Sequence, residues 1–310
     1  MNIKPEISVV IPVYKAESIL HELIKQLNAA LSSLKVSYEI VLVDDRSPDD
    51  SWAKMKELSS KHDAVKSYRL SRNFGQHPAI MAGLNQSKGN WIVVMDCDLQ
   101  DQPHEILKLY NKAQEGFEVV LAKRTARKDV FFKRMSSKLF YKVFNFFAGV
   151  DINNEIGNFG IYQRKVIDSL FNLGDALVFF PLFIQWVGFK KTEINVDHAS
   201  RHDGKSSYNF ITLFKLAFNT IISFSDKPLR LFLNLGIVIS FGSFIGAIYI
   251  LYKALNNEIE VMGYSSIFIS ICFFSGLIIS FLGIIGIYLG KTFNQTKHRP
   301  IYIIDDSYHK

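Results

Sequence analysis

Residues 1–125 alternate between short unbroken apolar runs and longer stretches in which apolar side chains recur every three or four positions. A run of four to eight apolar residues closed by turn formers predicts a buried strand, and the wider spacing predicts an amphipathic helix. By that rule Ile7–Val13, 39–43, Val65–Leu70, Trp91–Val94 and 119–122 are strands. The stretches 14–34 (Ile19, Leu23, Ile24, Leu27, Leu31), 50–61, 78–86 and one opening near Pro103 are helices, with 47–50 offering caps for the second. Strands alternating with helices predict an α/β fold, a mainly parallel sheet with helices on both faces.

The run from Trp91 to Asp101 organises the rest. Its apolar residues lead straight into Asp96 and Asp98, spaced i, i+2. Ligands collect at the carboxyl ends of strands in open α/β sheets, and two hard oxygen ligands there suit Mg²⁺ or Mn²⁺ carrying a diphosphate. A surface turn would also account for a lone Asp-x-Asp. Two other strands end in polar sequence, Asp44-Asp45-Arg46-Ser47-Pro48 and Ser71-Arg72-Asn73-Phe74-Gly75, so three strand ends can face one crevice. No Gly-x-Gly-x-x-Gly follows the first strand, which argues against a dinucleotide-binding Rossmann fold.

The composition changes partway. Residues 1–228 mix charged and apolar side chains, whereas 231–252 and 267–289 contain no ionised group. Runs of 22 and 23 residues suffice to cross a bilayer as helices, since about 20 are needed. The segment between them carries Glu258 and Glu260, while Lys215, Lys227 and Arg230 precede the first and Lys291, Lys297, Arg299 and Lys310 follow the second. The positive flanks place both termini in the cytoplasm. The start lacks the features of a signal peptide.

Two cysteines, Cys97 and Cys272, cannot build a disulfide framework, which suits a reducing compartment. The net charge of +7 fits a membrane surface or phosphate recognition; no nucleic-acid motif appears, so nucleic acid is not an expected partner. In 131–150, Phe131, Phe132, Met135, Leu139, Phe140, Val143, Phe144 and Phe147 interleave with Lys133, Arg134, Lys138 and Lys142; a helix of this pattern could cap the sheet, and its Phe and Lys faces favour one lying in the membrane interface. Residues 208–224 form a second such stretch. The expected organisation is a cytoplasmic domain over 1–207, an interfacial helix and linker over 208–228, two transmembrane helices over 229–290 and a cytoplasmic tail over 291–310.

Taken in order, several motifs resemble the polyprenyl-phosphate glycosyltransferases of glycosyltransferase family 2. They are Val10-Ile11-Pro12-Val13-Tyr14, Val43-Asp44-Asp45-x-Ser47, Ser71-Arg72-Asn73-Phe74-Gly75, Met95-Asp96-x-Asp98-Leu99-Gln100-Asp101, Arg201-x-x-Gly204-x-Ser206, Phe224-Ser225-x-x-Pro228-Leu229 and the two-span carboxyl-terminal part ending Lys297-His298-Arg299-Pro300-Ile301-Tyr302. The resemblance implies a GT-A fold and a nucleotide-diphosphate sugar donor whose base and ribose meet Pro12, Tyr14, Val43 and Asp45, with Asp44, Arg72 and Cys97 beside them. It implies a divalent metal, Mg²⁺ or Mn²⁺, on Asp96, Asp98 and Gln100, and phosphate contacts from Arg124, Arg134, Arg201, Lys205 and Ser206. It also implies a polyprenyl phosphate acceptor, a lipid bilayer as partner surface, and a homo-oligomer, a tetramer in some members.

The chain departs from that family at Lys15-Ala16, Arg46, Asn158, Ser207, Ile287 and Lys291. Asn158 stands where many bacterial members carry Asp. A phosphate monoester acceptor has its second pKa near about 6, so the nucleophile is already ionised at neutral pH and a strong general base is unnecessary. With no second carboxylate standing out as a nucleophile, single displacement with inversion is expected. Two rivals remain. A processive polysaccharide synthase would carry Gln-x-x-Arg-Trp, whereas here Gln185-Trp186 lacks the Arg; a non-catalytic scaffold would not need Asp96, Asp98 and Gln100 intact.

Overall fold

The computed structural model describes residues 4–124, 147, 156–174, 179–197, 225–256 and 263–309. These fall into two compact units, one carrying all the strands and the other a pair of long apolar helices.

In the first unit, β1 (Ile7–Val13), β2 (Tyr38–Asp44), β3 (Val65–Leu70) and β4 (Trp91–Val94) form where the apolar runs place them. Between them lie α1 (Leu20–Ser33), α2 (Ser51–Lys61) and α3 (Gln76–Gln86). After a 3-10 turn at Pro103–Glu105 come α4 (Ile106–Gln114) and β5 (Val119–Arg124). Then follow β6 (Ile156–Gln163), α5 (Arg164–Phe171), α6 (Phe180–Trp186) and β7 (Lys191–Val196), and far along the chain β8 (Ile304–Tyr308). The sheet runs β7-β5-β6-β4-β1-β2-β3-β8.

β1 is parallel to β2 and β4, β2 to β3 and β5 to β7; β6 runs antiparallel between β4 and β5, and β8 antiparallel on β3. The sheet is therefore mixed and mostly parallel, as the alternation predicts. Val9, Ile11, Ile40, Leu42 and Val93 build a core against Leu23, Leu27 and Leu31 of α1. On β1 and β2, α3 comes close through Gly83, where a methyl group would stand 2.4 Å from Val10 Cγ1 and 3.1 Å from Val43 Cγ2. A residue without Cβ permits that approach, which fixes α3 with its first residue, Gln76, toward the carboxyl ends of the strands.

At the opposite, amino end of the sheet a polar cluster closes on itself. Glu39 accepts bonds from Ser8 Oγ and the Lys88 amide, both at 2.6 Å, and forms an ion pair with Lys66. Burial would raise its pKa, yet these partners together bring it below the ordinary carboxylate value.

One local expectation needs correction. Helix α1 starts at Leu20 rather than at residue 14, because residues 14–16 turn: Lys15 is left-handed (φ 54°) and the Ala16 amide donates to Ser51 Oγ at 3.0 Å. The start of α2 is capped from within 47–50, as expected, by Asp49, whose Oδ1 accepts the Ser51 amide at 3.3 Å and Ser51 Oγ at 2.7 Å; Ser47 instead accepts the Lys15 amide, and the N-cap Asp50 makes no side-chain cap bond.

The second unit holds α7 (Lys227–Leu255) and α8 (Tyr264–Thr296). Their 29 and 33 residues span roughly 44 and 50 Å at about 1.5 Å per residue. Both are long and apolar enough to cross a membrane, and their apolar stretches are unburied. Leu233, Val238 and Phe241 on α7 and Ile278, Ile279 and Leu282 on α8 are exposed, so neither is the core helix of a soluble domain. Phe232 and Phe281 pack edge to face with centroids 5.6 Å apart.

Candidate active site

The carboxyl ends of β1, β2, β3 and β4 lie along one edge of the sheet, and each leaves through a turn containing a left-handed residue: Lys15 (φ 54°), Arg46 (φ 57°), Gly75 (φ 100°) and Leu99 (φ 57°). Left-handed backbone costs non-glycine residues on the order of 1–3 kcal/mol and collects at functional sites.

Asp44 and Asp45 take separate roles. Asp44 is wholly buried; its Oδ1 accepts the Ser47 amide at 2.9 Å and its Oδ2 lies 3.1 Å from Arg69 Nε. Asp45 reaches across to the next turn, accepting the amides of Phe74 at 2.7 Å and Gly75 at 2.9 Å. Its pKa is raised, chiefly by burial and further by Asp44, against those two bonds and the pull of Arg72. Arg72 is exposed, its guanidinium 4.1 Å from the Phe74 ring centroid.

Asp96 and Asp98 stand beyond β4. Gln76 donates from Nε2 to Asp96 Oδ1 at 2.7 Å, and the Gln100 amide donates to Asp98 Oδ1 at 3.2 Å. Between the acids, Cys97 turns inward beside the Tyr14 backbone amide, and burial, then Asp96, pushes its thiol up to about 12. Such a thiol is inert at neutral pH. Tyr14 is exposed, with Lys15 Nζ 5.5 Å from its ring, while Pro12 and Val43 are buried near the carboxyl ends of β1 and β2. Next to Gln76, His77 packs edge-on against Phe179 at 4.8 Å, and burial lowers its pKa to about 4, so it stays neutral.

Asn158 lies on β6, half-buried, its carbonyl accepting Tyr162 Oη at 3.4 Å. Since Val94 pairs with Gly160, continuing the register two residues brings Asn158 opposite Asp96. Arg124 is the last residue of β5. Arg134, Arg201, Lys205, Ser206 and Ser207 lie outside the described residues, as do the stretches expected to be interfacial, 131–150, save Phe147, and 208–224.

The donor set fits a hard divalent cation: Asp96, Asp98 and Gln100 offer oxygen ligands, and Gln76 supplies the kind of outer bond that orients a ligating carboxylate. His104, Glu105 and Asp197 also bring candidate ligand atoms within 4.8 Å of one another, but Lys108 Nζ already sits 2.8 Å from Glu105 Oε1, so that cluster is accounted for as an ion-pair group.

Sequence reasoning did not find Gln76, which is 20 residues from Asp96, nor the contact of Arg46 with Asp305, at 2.6 Å across 259 residues. Neither distance leaves a local pattern.

A mixed, mostly parallel sheet with acids at the tip of β4 is the arrangement of a GT-A glycosyltransferase. The chain belongs to glycosyltransferase family 2: the family's model, "Glycosyl transferase family 2", matches residues 8–171. It is 37% identical over 302 residues to the uncharacterized glycosyltransferase YkcC of Bacillus subtilis (strain 168), covering 97% of this chain and 94% of that one. It is 35% identical over 306 residues to the undecaprenyl-phosphate 4-deoxy-4-formamido-L-arabinose transferase of Salmonella paratyphi A, covering 96% and 92%. Among solved structures, glucosyl-3-phosphoglycerate synthase from Mycobacterium tuberculosis, in complex with Mn²⁺ and UDP-glucose, aligns at a TM-score of 0.49 and 15% identity over 71% of this chain and 78% of that one. The protein is thus a glycosyltransferase.

Proposed function

We propose that this glycosyltransferase moves a sugar from a nucleotide diphosphate to a polyprenyl phosphate, with inversion, at the cytoplasmic face of a membrane crossed by α7 and α8. The observation that carries the reading is the pair Asp96 and Asp98 at the tip of β4, level with the turns holding Asp45 and Tyr14. The near-full-length likeness to an undecaprenyl-phosphate sugar transferase supports a lipid phosphate acceptor. Two helices long enough for a bilayer would keep the chain where such an acceptor resides.

Tyr14 and Asp45 would receive the nucleoside, the ring by stacking and the carboxylate by accepting hydrogen bonds. Asp96, Asp98 and Gln100 would hold Mg²⁺ or Mn²⁺, which supplies charge neutralisation for the leaving diphosphate. Arg72 and Arg124, with Arg134, Arg201, Lys205 and Ser206, would offset the repulsion between diphosphate and acceptor phosphate; an opposite charge at about 4 Å is worth roughly 4 kcal/mol at an effective dielectric of 20. Asn158 would orient the acceptor by hydrogen bonding, since a phosphate monoester needs no strong base. The sequence suggests divisions near residues 207, 228 and 290; the stretch expected as a separate tail is corrected by the fold, since α8 runs on to Thr296 and residues 304–308 return as β8 to the sheet of the first unit.

Membranes containing the chain, given labelled nucleotide sugars, a divalent cation and polyprenyl phosphate, should yield organic-extractable label, and Asp98→Ala should abolish it. Equal label from both would reject the metal assignment. Retention of the donor's anomeric configuration in the lipid product would reject single displacement.

A further inference from the structure

β8 pairs with β3 as Ser67 with Tyr308, Tyr68 with Ser307 and Arg69 with Asp306, but the next pair is Leu70 with Ile304. Asp305 is therefore the extra residue of a β-bulge. Bulges bend a strand and re-aim a side chain, and they gather near active sites. Here the bulged carboxylate meets Arg46, Oδ2 to Nη1 at 2.6 Å. Arg46 is the left-handed residue of the turn after β2, adjacent to Asp45.

The segment is fixed at further points around this contact. The Ser71 amide donates to the Ile303 carbonyl at 2.9 Å, the half-buried Tyr302 hydroxyl bonds the Asn85 side chain of α3, and His309 lies 6.1 Å from the Tyr68 ring. A strand that only covered the edge of β3 would serve in regular register. The irregularity instead coincides with one ion pair, at the turn that follows β2.

We infer that β8 is a working part of the donor site and that Asp305 is the positioning residue for Arg46. Asp305 engages one arm of the planar guanidinium and sets the direction of the others, which meet an oxygen of the donor's nucleotide. This rests on the crevice being the nucleotide-sugar site. The same pairing turns the end of the chain that leaves α8 at Thr296 into a neighbour of the turn after β2.

The test uses the full chain in membranes, with nucleotide sugar and polyprenyl phosphate varied independently. Asp305→Asn raises KM for the nucleotide sugar about three- to fivefold, the upper range for an exposed ion pair, and leaves KM for the lipid phosphate unchanged. Asp306→Asn, which removes the same charge from the neighbouring residue of the same strand, moves neither. Asp305→Glu, which keeps the charge, returns donor KM to within about twofold of the parent; this variant also decides the matter if Asp305→Asn melts early. Equal donor KM for Asp305→Asn and parent in a chain that turns over overturns the inference and leaves the transfer reaction standing. So does an equal rise in Asp306→Asn. A parent chain that labels no lipid under any donor overturns the transfer reading itself.

Discussion

Strand β2 has a buried acid at each end, and the two are held in opposite ways. Glu39, near its start, is 2% exposed and is bonded by Ser8, Lys88 and the cation of Lys66, which carry its pKa below the ordinary value despite burial. Asp45, just past its end, is 4% exposed and accepts two amides, and burial prevails, raising its pKa. The first is a closed structural cluster. The second belongs to an edge where four consecutive strands leave through left-handed turns and where acids are held by amide groups of the protein. One end of the sheet closes on itself, and the other is the end proposed to meet a ligand.

The largest effect that should separate the two ends is at Asp98. Asp98→Ala is expected to lower transfer by roughly 10²- to 10³-fold, while its melting temperature in detergent stays close to the parent's. A large loss of stability instead would make this end structural too. Glu39→Ala should do the reverse, costing about 2–3 kcal/mol by leaving Lys66 and Ser8 without their partner, with turnover per folded molecule retained; denaturant titration and a transfer assay on the same sample check both.

Gly83→Ala sharpens the contrast, since it presses α3 away from Val10 and Val43. Overpacking of this kind costs about 2 kcal/mol, and because α3 carries Gln76, donor KM should rise along with the fall in stability. The smallest effect is a pH slope. Glu39 has its folded pKa below the unfolded reference of 4.5, so its contribution is present above that pH and fades as pH falls through the folded value. Between neutral pH and that range the parent should lose more stability than Glu39→Gln; parallel melting curves would remove Glu39 from the account.

The difference between the ends also explains what the sequence could reveal. β1 to β4 and their helices were legible because each is a local pattern, and Asp96 and Asp98 because a charge directly after four apolar residues stands out. β6 was obscured by Gly157, Gly160 and Asn158. β7 exposes half of its residues and buries only Val196, and β8 reads Ile-Asp-Asp-Ser-Tyr, with too little apolar content to signal a strand. Its place is set by pairing with β3, a partner more than two hundred residues earlier. Gln76, Arg69 and Arg46 likewise acquire their partners through the fold. The apolar helices were evident for the opposite reason, since length and absence of charge belong to the segment itself.

The placement of β8 bears on how the molecule is made. Translation delivers β3 early, yet the strand that covers it emerges only after both apolar helices have been synthesised. Until then the nascent sheet has an unpaired border, which invites association with other chains. Loss of β8 alone would leave the other seven strands among the described residues in place and the border of β3 open, so quality control has reason to act on a change confined to residues 304–308.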